Sequence, residues 1–411
     1  MLNKIVRGTL TCLGIAAVIV AAVNAEEKGG KMNEALEELV RENSAQLVEF
    51  RRDLHRHPEV SGDEVRTSRI VAERLRALGL DVRTGIGGYG VVAVLQGAKD
   101  GPVVAWRADM DALNSDAPDP ASFASETSGV RHICGHDVHT TIGVGIAEAL
   151  AAVRDQLSGT VVFIFQPSEE TAEGAAAMIA DRALDDPAPA AIFAVHCAPL
   201  ETGQVGSGAG MLLSGVDLVT VTLTGSGDIM AAAERCGGVI NSANESVSEA
   251  GFIEAVVFES GFDETTGAFV GRALVRASSP KNRARAQNAI ESGLAGVNVP
   301  GVTCAVEYEK HVIPDVNNDA TLVEAADAVI REVSGESAVY GIDAPTPSFS
   351  EDFAFFQERI PGAMFFLGVS NADEGIVGMP HQPSFMVDED AIAFGVRTMS
   401  LVLVDYLESH R

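Results

Sequence analysis

Four short, uninterrupted apolar runs constrain this chain more than anything else in it. They are Pro102-Val103-Val104-Ala105-Trp106, Thr160-Val161-Val162-Phe163-Ile164-Phe165, Ala191-Ile192-Phe193-Ala194-Val195 and the stretch Ala363–Val369. A strand with one wet face alternates apolar and polar side chains, whereas a run that is apolar throughout is covered on both faces. Such strands belong in the middle of an α/β sheet, and side chains at their carboxyl ends line the crevice where ligands bind. Each run here leads into residues that carry chemistry. Arg107, Asp109 and Asp111 follow the first, Gln166-Pro167-Ser168-Glu169-Glu170 the second, and His196 the third, while Met379-Pro380-His381-Gln382-Pro383 lies beyond the fourth.

A further contribution comes from His132-Ile133-Cys134-Gly135-His136-Asp137-Val138-His139, which holds three of the nine histidines and one of the five cysteines. Imidazole and thiolate are ligands that borderline transition metals prefer, and a nearby carboxylate can orient an imidazole through its second ring nitrogen. Cys134 and His136 are two apart, so a loop points them the same way and a helix does not. Thr140, Ile142, Ile146, Ala147, Leu150 and Val153 then follow helical spacing, which starts a helix near Asp137. The alternative is a loop of buried histidines satisfied by backbone. A structural zinc site is disfavoured, because no second Cys/His pair lies close in sequence.

The adjacent carboxylates Glu169 and Glu170 directly follow a buried strand. On extended backbone they point opposite ways, so one can bind metal while the other serves as a general base for water. A chance loop pair is the competing reading. Asp109 either reaches a metal or a ligand histidine, or is a solvated loop carboxylate. His55 and His57 close a helical pattern over 34–58, where packing or capping explains them at least as well as ligation.

The chain has 411 residues, 46% of them hydrophobic, enough for a sizeable core and for two domains. Lys4 and Arg7, the apolar run Leu10–Val23 and the small residues before Glu26 predict a signal peptide over 1–25, with an uncleaved anchor as the alternative. The protein is therefore expected to be exported, periplasmic or secreted, with no stable membrane span after cleavage. Cys12 leaves with the peptide. Cys134, Cys197, Cys236 and Cys304 remain, too scattered for a disulfide framework, and are expected as thiols. The formal charge of −29 becomes −31 once residues 1–25, with two cations and no acid, are removed. Such a surface excludes nucleic acid and anionic membranes as partners.

Further helical and strand patterns fall at Val65–Leu78, Asp81–Thr84 and Val91–Leu95. Between Val216 and Pro314 the pattern changes to strand (Leu218–Thr224), helix (Ile229–Val247), apolar segments (Phe252–Phe258, Ala268–Ala277), helix (Pro280–Ala295) and strand (Val302–Tyr308). This mixture reads as an α+β insertion. The expected organisation is a catalytic domain over 34–215 and 315–411, interrupted by an inserted domain at 216–314. Helices around 320–334 and 388–407 belong to the returning segment.

With these residues in hand, the chain resembles the amidohydrolase branch of the zinc carboxypeptidase/aminoacylase family, which includes hippurate hydrolases and plant auxin-conjugate hydrolases. The resemblance is carried by RRDLHRHPEVSGDE (51–64), WRADMDAL (106–113), HICGHDVHTT (132–141), QPSEETAEGA (166–175), VHCAP (195–199), FSEDFAFF (349–356) and MPHQPSF (379–385). It implies an α/β catalytic domain of the zinc-exopeptidase type, with a central mixed sheet and an inserted ferredoxin-like α+β lid. It also implies one or two divalent metal ions (zinc, manganese, cobalt or nickel) and a small-molecule substrate, an N-acyl amino acid or small peptide cleaved at its amide bond. By resemblance Cys134, His136, Glu170, His196 and His381 are the metal ligands and Glu169 the catalytic base. Asp109, Asp137 and His139 match residues surrounding the ligands, and Arg276 matches a substrate-binding arginine at the end of a lid strand. The departure is in the lid. Gly225-Ser226-Gly227-Asp228-Ile229-Met230-Ala231-Ala232 lacks the histidine that relatives carry, and the segment that follows is shorter. A homo-oligomer is compatible with the resemblance, but this change argues against the usual lid-mediated dimer. It also argues for weakened or narrowed activity, with a metal- or ligand-binding homologue of lost turnover as the alternative; candidates for a substitute donor are Arg235, Asn241 and Asn244 on the altered segment, with the metal carrying the remainder.

Overall fold

The structure, a computed structural model, describes residues 32–246 and 251–411, with side chains described outside 245–250. The expected signal peptide, Cys12 and the last residue of the expected helix 229–247 lie outside that range. No helix among the described residues is long and apolar enough to cross a membrane.

The chain enters through helix α1 (32–56), which buries Leu36, Val40, Leu47, Phe50 and Leu54 on one stripe. Helix α2 (Val65–Ala77) follows and buries Val71, Ala72 and Leu75. A hairpin, β1 (Asp81–Ile86) and β2 (Gly90–Gln96), leads to β3 (Lys99–Asp109), and a short pair β4 (Leu113–Asn114) and β5 (Val130–Arg131) precedes α3 (His136–Ala152). Next come β6 (Ser158–Gln166), α4 (Gly174–Ala180), β7 (Ala191–Glu201), β8 (Val205–Ser207) and β9 (Gly210–Leu213).

The insertion contributes β10 (Val216–Gly225), α5 (Ile229–Ser242), β11 (Ile253–Phe262), β12 (Phe269–Ala277), α6 (Pro280–Ala295) and β13 (Val302–Ile313). The chain returns through β14 (Val316–Asn318), α7 (Ala320–Ser334), β15 (Val339–Gly341), α8 (Ala354–Gln357), β16 (Gly362–Ser370) and α9 (Asp390–Ser409).

The main sheet has eight strands in the order β1-β2-β6-β3-β7-β16-β8-β15. Its centre is parallel, β6 and β7 flanking β3 and β16 lying beside β7. Outer strands β1, β2 and β8 add antiparallel pairs, so the sheet is mixed. The four apolar runs are these four central strands. One face carries Val104, Trp106, Phe163 and Phe165 under Ile142, Val396 and Leu403, from helices α3 and α9. The other carries Ala105, Val162, Ile164 and Ile192 under Met178, Phe353 and Phe356. With both faces covered, a wet-face alternation has no place in these strands.

The inserted strands form their own antiparallel sheet, β11-β12-β10-β13, in which Val219, Val221, Ala273 and Val275 pack against Cys236 and Ile240 of α5 and Ile290 of α6. The chain order strand, helix, strand, strand, helix, strand is that of a split βαβ arrangement. Where the main domain gives way to this unit, β9 pairs antiparallel with β14, Val316 standing opposite Leu213. Asp315 ties the two crossings, accepting from the Gly215 amide at 2.6 Å and from Arg283 of α6.

Among the elements whose bounds differ from expectation, three show why. β7 runs on through His196 to Glu201 because β16 continues to pair with it, Phe366 opposite His196 and Gly368 opposite Ala198. β13 extends through the charged Glu307–His311 to Ile313, its pairing with β10 sustaining a strand whose side chains are mostly exposed. α5 stops at Ser242, beyond which Asn244 pairs with both backbone groups of Ala255 in β11.

Candidate metal centre

Four separate segments bring their side chains together beyond the carboxyl ends of the central strands. Helix α3 begins at His136, one residue before the expected start, with Gly135 as its N-cap at φ 95°. A Cβ on Gly135 would stand 2.8 Å from Cys197 Sγ, so glycine lets this turn press against β7. Cys134 and His136, either side of it, are thereby held beside His196. His381 arrives from the loop after β16, its amide donating to the Ile133 carbonyl at 2.8 Å.

The two glutamates sit in a turn and not on extended backbone. Ser168 takes φ 54°, and Ala172 donates to the Glu169 carbonyl at 2.7 Å. The expected divergence of the pair is therefore corrected. Carboxylate oxygens of Glu169 and Glu170 each stand 3.7 Å from His136 Nε2.

Around them Cys134 Sγ lies 3.4 Å from His196 Nε2 and 3.2 Å from His381 Nε2, and Glu170 Oε1 lies 3.4 Å from His381 Nε2. Cys134, His136, Glu170, His196 and His381 are thus brought together, with Glu169 at their edge. His381 is the most exposed of them, its side chain 42% accessible.

Two observations test whether this set fits a cation. His136 Nε2 and Glu170 Oε1 are buried without a hydrogen-bond partner among the described residues, an expensive condition for polar atoms unless another group satisfies them. The electrostatics agree. Burial alone would lower an imidazole's pKa, yet Asp109, Asp111 and Glu170 raise that of His136 to about 10. Burial, then Glu170 and Glu169, push the Cys134 thiol well above its ordinary value. Burial also depresses His196 to about 3, leaving a neutral imidazole able to donate a lone pair. A soft sulfur, three imidazoles and a carboxylate in a strongly negative pocket suit a divalent transition metal.

The surrounding residues divide into three groups. Asp111 accepts from His136 Nδ1 at 3.2 Å and from the Glu170 amide at 3.0 Å, so one carboxylate orients two of the gathered side chains. Asp109 instead binds His139 Nδ1 at 2.7 Å, and the other nitrogen of His139 accepts from the Cys197 amide at 2.8 Å. Asp137 faces away from the cluster, paired with Arg51 and His55, each at 2.8 Å. His55 is accordingly a structural partner and not a ligand.

Sequence reasoning missed Glu351 and Asp352 as individual residues. Fully buried Arg107 joins them to Asp109, at 2.7 Å from Glu351, 3.1 Å from Asp352 and 2.5 Å from Asp109. Gln166 closes the network, accepting from Arg107 and donating to Asp352. Burial, then Glu351 and Glu170, hold Glu169 well above the ordinary carboxylate range. The available signal was Arg107 itself, a cation at the end of a buried strand, which demands buried anions elsewhere in the chain.

A cavity of about 570 Å³ opens over the cluster, lined by Glu169, Glu170, His196 and His381 below and by Leu274, Arg276 and Ile313 of the inserted unit. Arg276 donates to Ser350 Oγ at 2.8 Å and stands 3.4 Å from Glu254. Arg235, Asn241 and Asn244 do not line the cavity of their own chain. Arg235 binds the Asn298 carbonyl, and Asn244 is committed to Ala255.

Residues 105–405 match the profile of peptidase family M20/M25/M40. The chain is 34% identical over 383 residues to IAA-amino acid hydrolase ILR1-like 6 of Arabidopsis thaliana, covering 89% of this chain and 81% of that one. It is 30% identical over 393 residues to N-acetylcysteine deacetylase of Bacillus subtilis, covering 88% and 97%. Among solved structures it resembles a Bacillus subtilis protein described as a dinuclear metal-binding peptidase of the M20 family. That likeness has a TM-score of 0.75 and 30% identity, over 90% of this chain and 99% of the other.

Proposed function

We propose, from the premise that this chain belongs to peptidase family M20/M25/M40, that it is a metal-dependent hydrolase cleaving the amide bond of N-acyl amino acids or small peptides. The observation that carries the reading is the pair of buried, unpartnered atoms His136 Nε2 and Glu170 Oε1, set among Cys134, His196 and His381 with a second carboxylate alongside. The named relatives cleave amino-acid conjugates and an N-acetyl amino acid, which supports the substrate class.

Cys134, His136, Glu170, His196 and His381 would hold one or two divalent ions. An ion bound there supplies Lewis acidity towards water and the acyl oxygen. The remaining work falls to the chain. Glu169 accepts the proton of the attacking water and hands it to the leaving amine as the C–N bond breaks, so hydroxyl ends on the acyl carbon and hydrogen on nitrogen. Burial and the carboxylates of Glu351 and Glu170 hold Glu169 above the ordinary carboxylate range, which makes it a stronger base than a solvated carboxylate. Asp111 and the Asp109–His139 pair fix the ring orientations, and Arg276 receives the substrate carboxylate.

The test is Glu169→Gln assayed on a panel of N-acyl amino acids, with metal content measured in parallel. The expected result is a loss of roughly 10²- to 10⁴-fold in kcat with metal retained. An unchanged rate removes Glu169 from the mechanism. No turnover by the parent chain on any member, with metal bound, favours a binding protein instead.

A further inference from the structure

The cavity has an apolar part that amide cleavage itself does not require. The ligand cluster occupies its floor only. From His196 the wall continues along β7 through Ala198 and Pro199 to Leu200, leaving the polar centre behind. There Leu200, Phe366 and Ile342 close over Gly206 of β8. A Cβ built on Gly206 would meet Leu200 Cδ1 at 2.9 Å, Phe366 Cβ at 3.0 Å and Ile342 Cδ1 at 3.5 Å, and those three side chains line the cavity. Arg276, the one Lys or Arg among the lining residues, belongs to the other sheet and is reached through β12 of the inserted unit. At about 570 Å³ the space is of a size that encloses a whole small ligand, well beyond an acetylated amino acid.

We infer that the Leu200–Ile342–Phe366 wall is an acyl-chain site, selecting N-acyl amino acids with aliphatic acyl groups of medium length over N-acetyl ones. This rests on the amide-hydrolase reading above. An N-acyl amino acid has two arms on its scissile bond. The carboxylate arm is drawn to Arg276, the one Lys or Arg among the described residues that line the cavity, which leaves the acyl arm for the main-sheet wall. Every side chain of that wall is apolar, so a polar or charged acyl group would lose its hydration there without replacement.

The experiment uses the full metal-loaded chain and one amino acid, leucine, acylated with acetyl, butanoyl, hexanoyl or octanoyl groups. A second series holds acetyl fixed and varies the amino acid through glycine, leucine and phenylalanine. Burying a methylene raises kcat/KM by about three- to fourfold when fully realised, so hexanoyl is expected to exceed acetyl by at least about tenfold. Ile342→Asp should flatten that dependence while Ile342→Val retains it. The inference is overturned by an optimum at acetyl, or by a preference that follows the amino-acid side chain and ignores acyl length. If no compound is cleaved, the hydrolase reading fails; calorimetric titration of the same series then decides the wall, which stands only if affinity rises with acyl length.

Discussion

His132 shows what a single buried side chain does to the whole protein's acid tolerance. It is 2% exposed and neither ring nitrogen has a hydrogen bond among the described residues. Burial depresses its pKa to about 4, so between the ordinary value near ~6.5 and 4 the unfolded chain takes a proton that the folded chain refuses. Stability therefore falls as pH falls through that window, by at most about 3 kcal/mol from this group. His132→Phe should lose less stability than the parent between pH 7 and pH 4.5, measured by urea unfolding with a chelator present in both. His55 acts in the opposite sense. Burial lowers its pKa, but the hydrogen bonds that Asp119 and Asp137 accept from it outweigh that, and its contribution is present at low pH and lost as pH rises through its raised pKa. Comparing variant with parent separates the two. Equal acid losses would place the sensitivity elsewhere.

At the scale of elements, the turn at Gly135 sets where Cys134 and His136, the proposed ligands on either side of it, can stand. Gly135→Ala faces two penalties, a left-handed backbone and a Cβ within 2.8 Å of Cys197 Sγ. It should cost about 1–3 kcal/mol and weaken metal affinity about tenfold or more, because the strain displaces Cys134 and His136 together. Gly203→Ala shares the positive φ of 92° but meets nothing within 4 Å, so it should cost about 1 kcal/mol and leave metal affinity alone. Metal titration of the two variants checks the contrast; equal affinities would deny the turn its role. The elements that sequence reading recovers are those set by burial. β3, β6, β7 and β16 are visible because apolar residues on both faces leave no other reading. What escapes it is set by pairing and by turn geometry. That β7 continues beyond His196 depends on β16, far away in the chain. That Glu169 and Glu170 converge depends on the left-handed Ser168, a conformation the residue type does not announce. Asp111, not Asp109, orients His136, a choice between neighbours of the same type that only the folded geometry makes.

Across the whole molecule, the proposed ligand set joins chain segments on both sides of the insertion. Cys134, His136, Glu170 and His196 precede it, and His381 follows it. A bound ion therefore cross-links two parts of the main domain that are covalently linked only through β10–β13. An ion at 100 times its Kd adds about 2.7 kcal/mol to folding stability, so chelation should lower Tm by several degrees. Arg276→Ala, outside the ligand set, should show the same shift, whereas His381→Ala should show a smaller one. An unaltered Tm after verified metal removal would mean the site is already rigid without it. The β9/β14 pairing carries a separate consequence. Leu213 and Val316 already face each other across an antiparallel ladder, a spacing that a two-residue turn spans in ordinary hairpins. In topological terms the inserted unit occupies the place of a hairpin turn, a complete second core grown inside one loop of a fold that is closed without it.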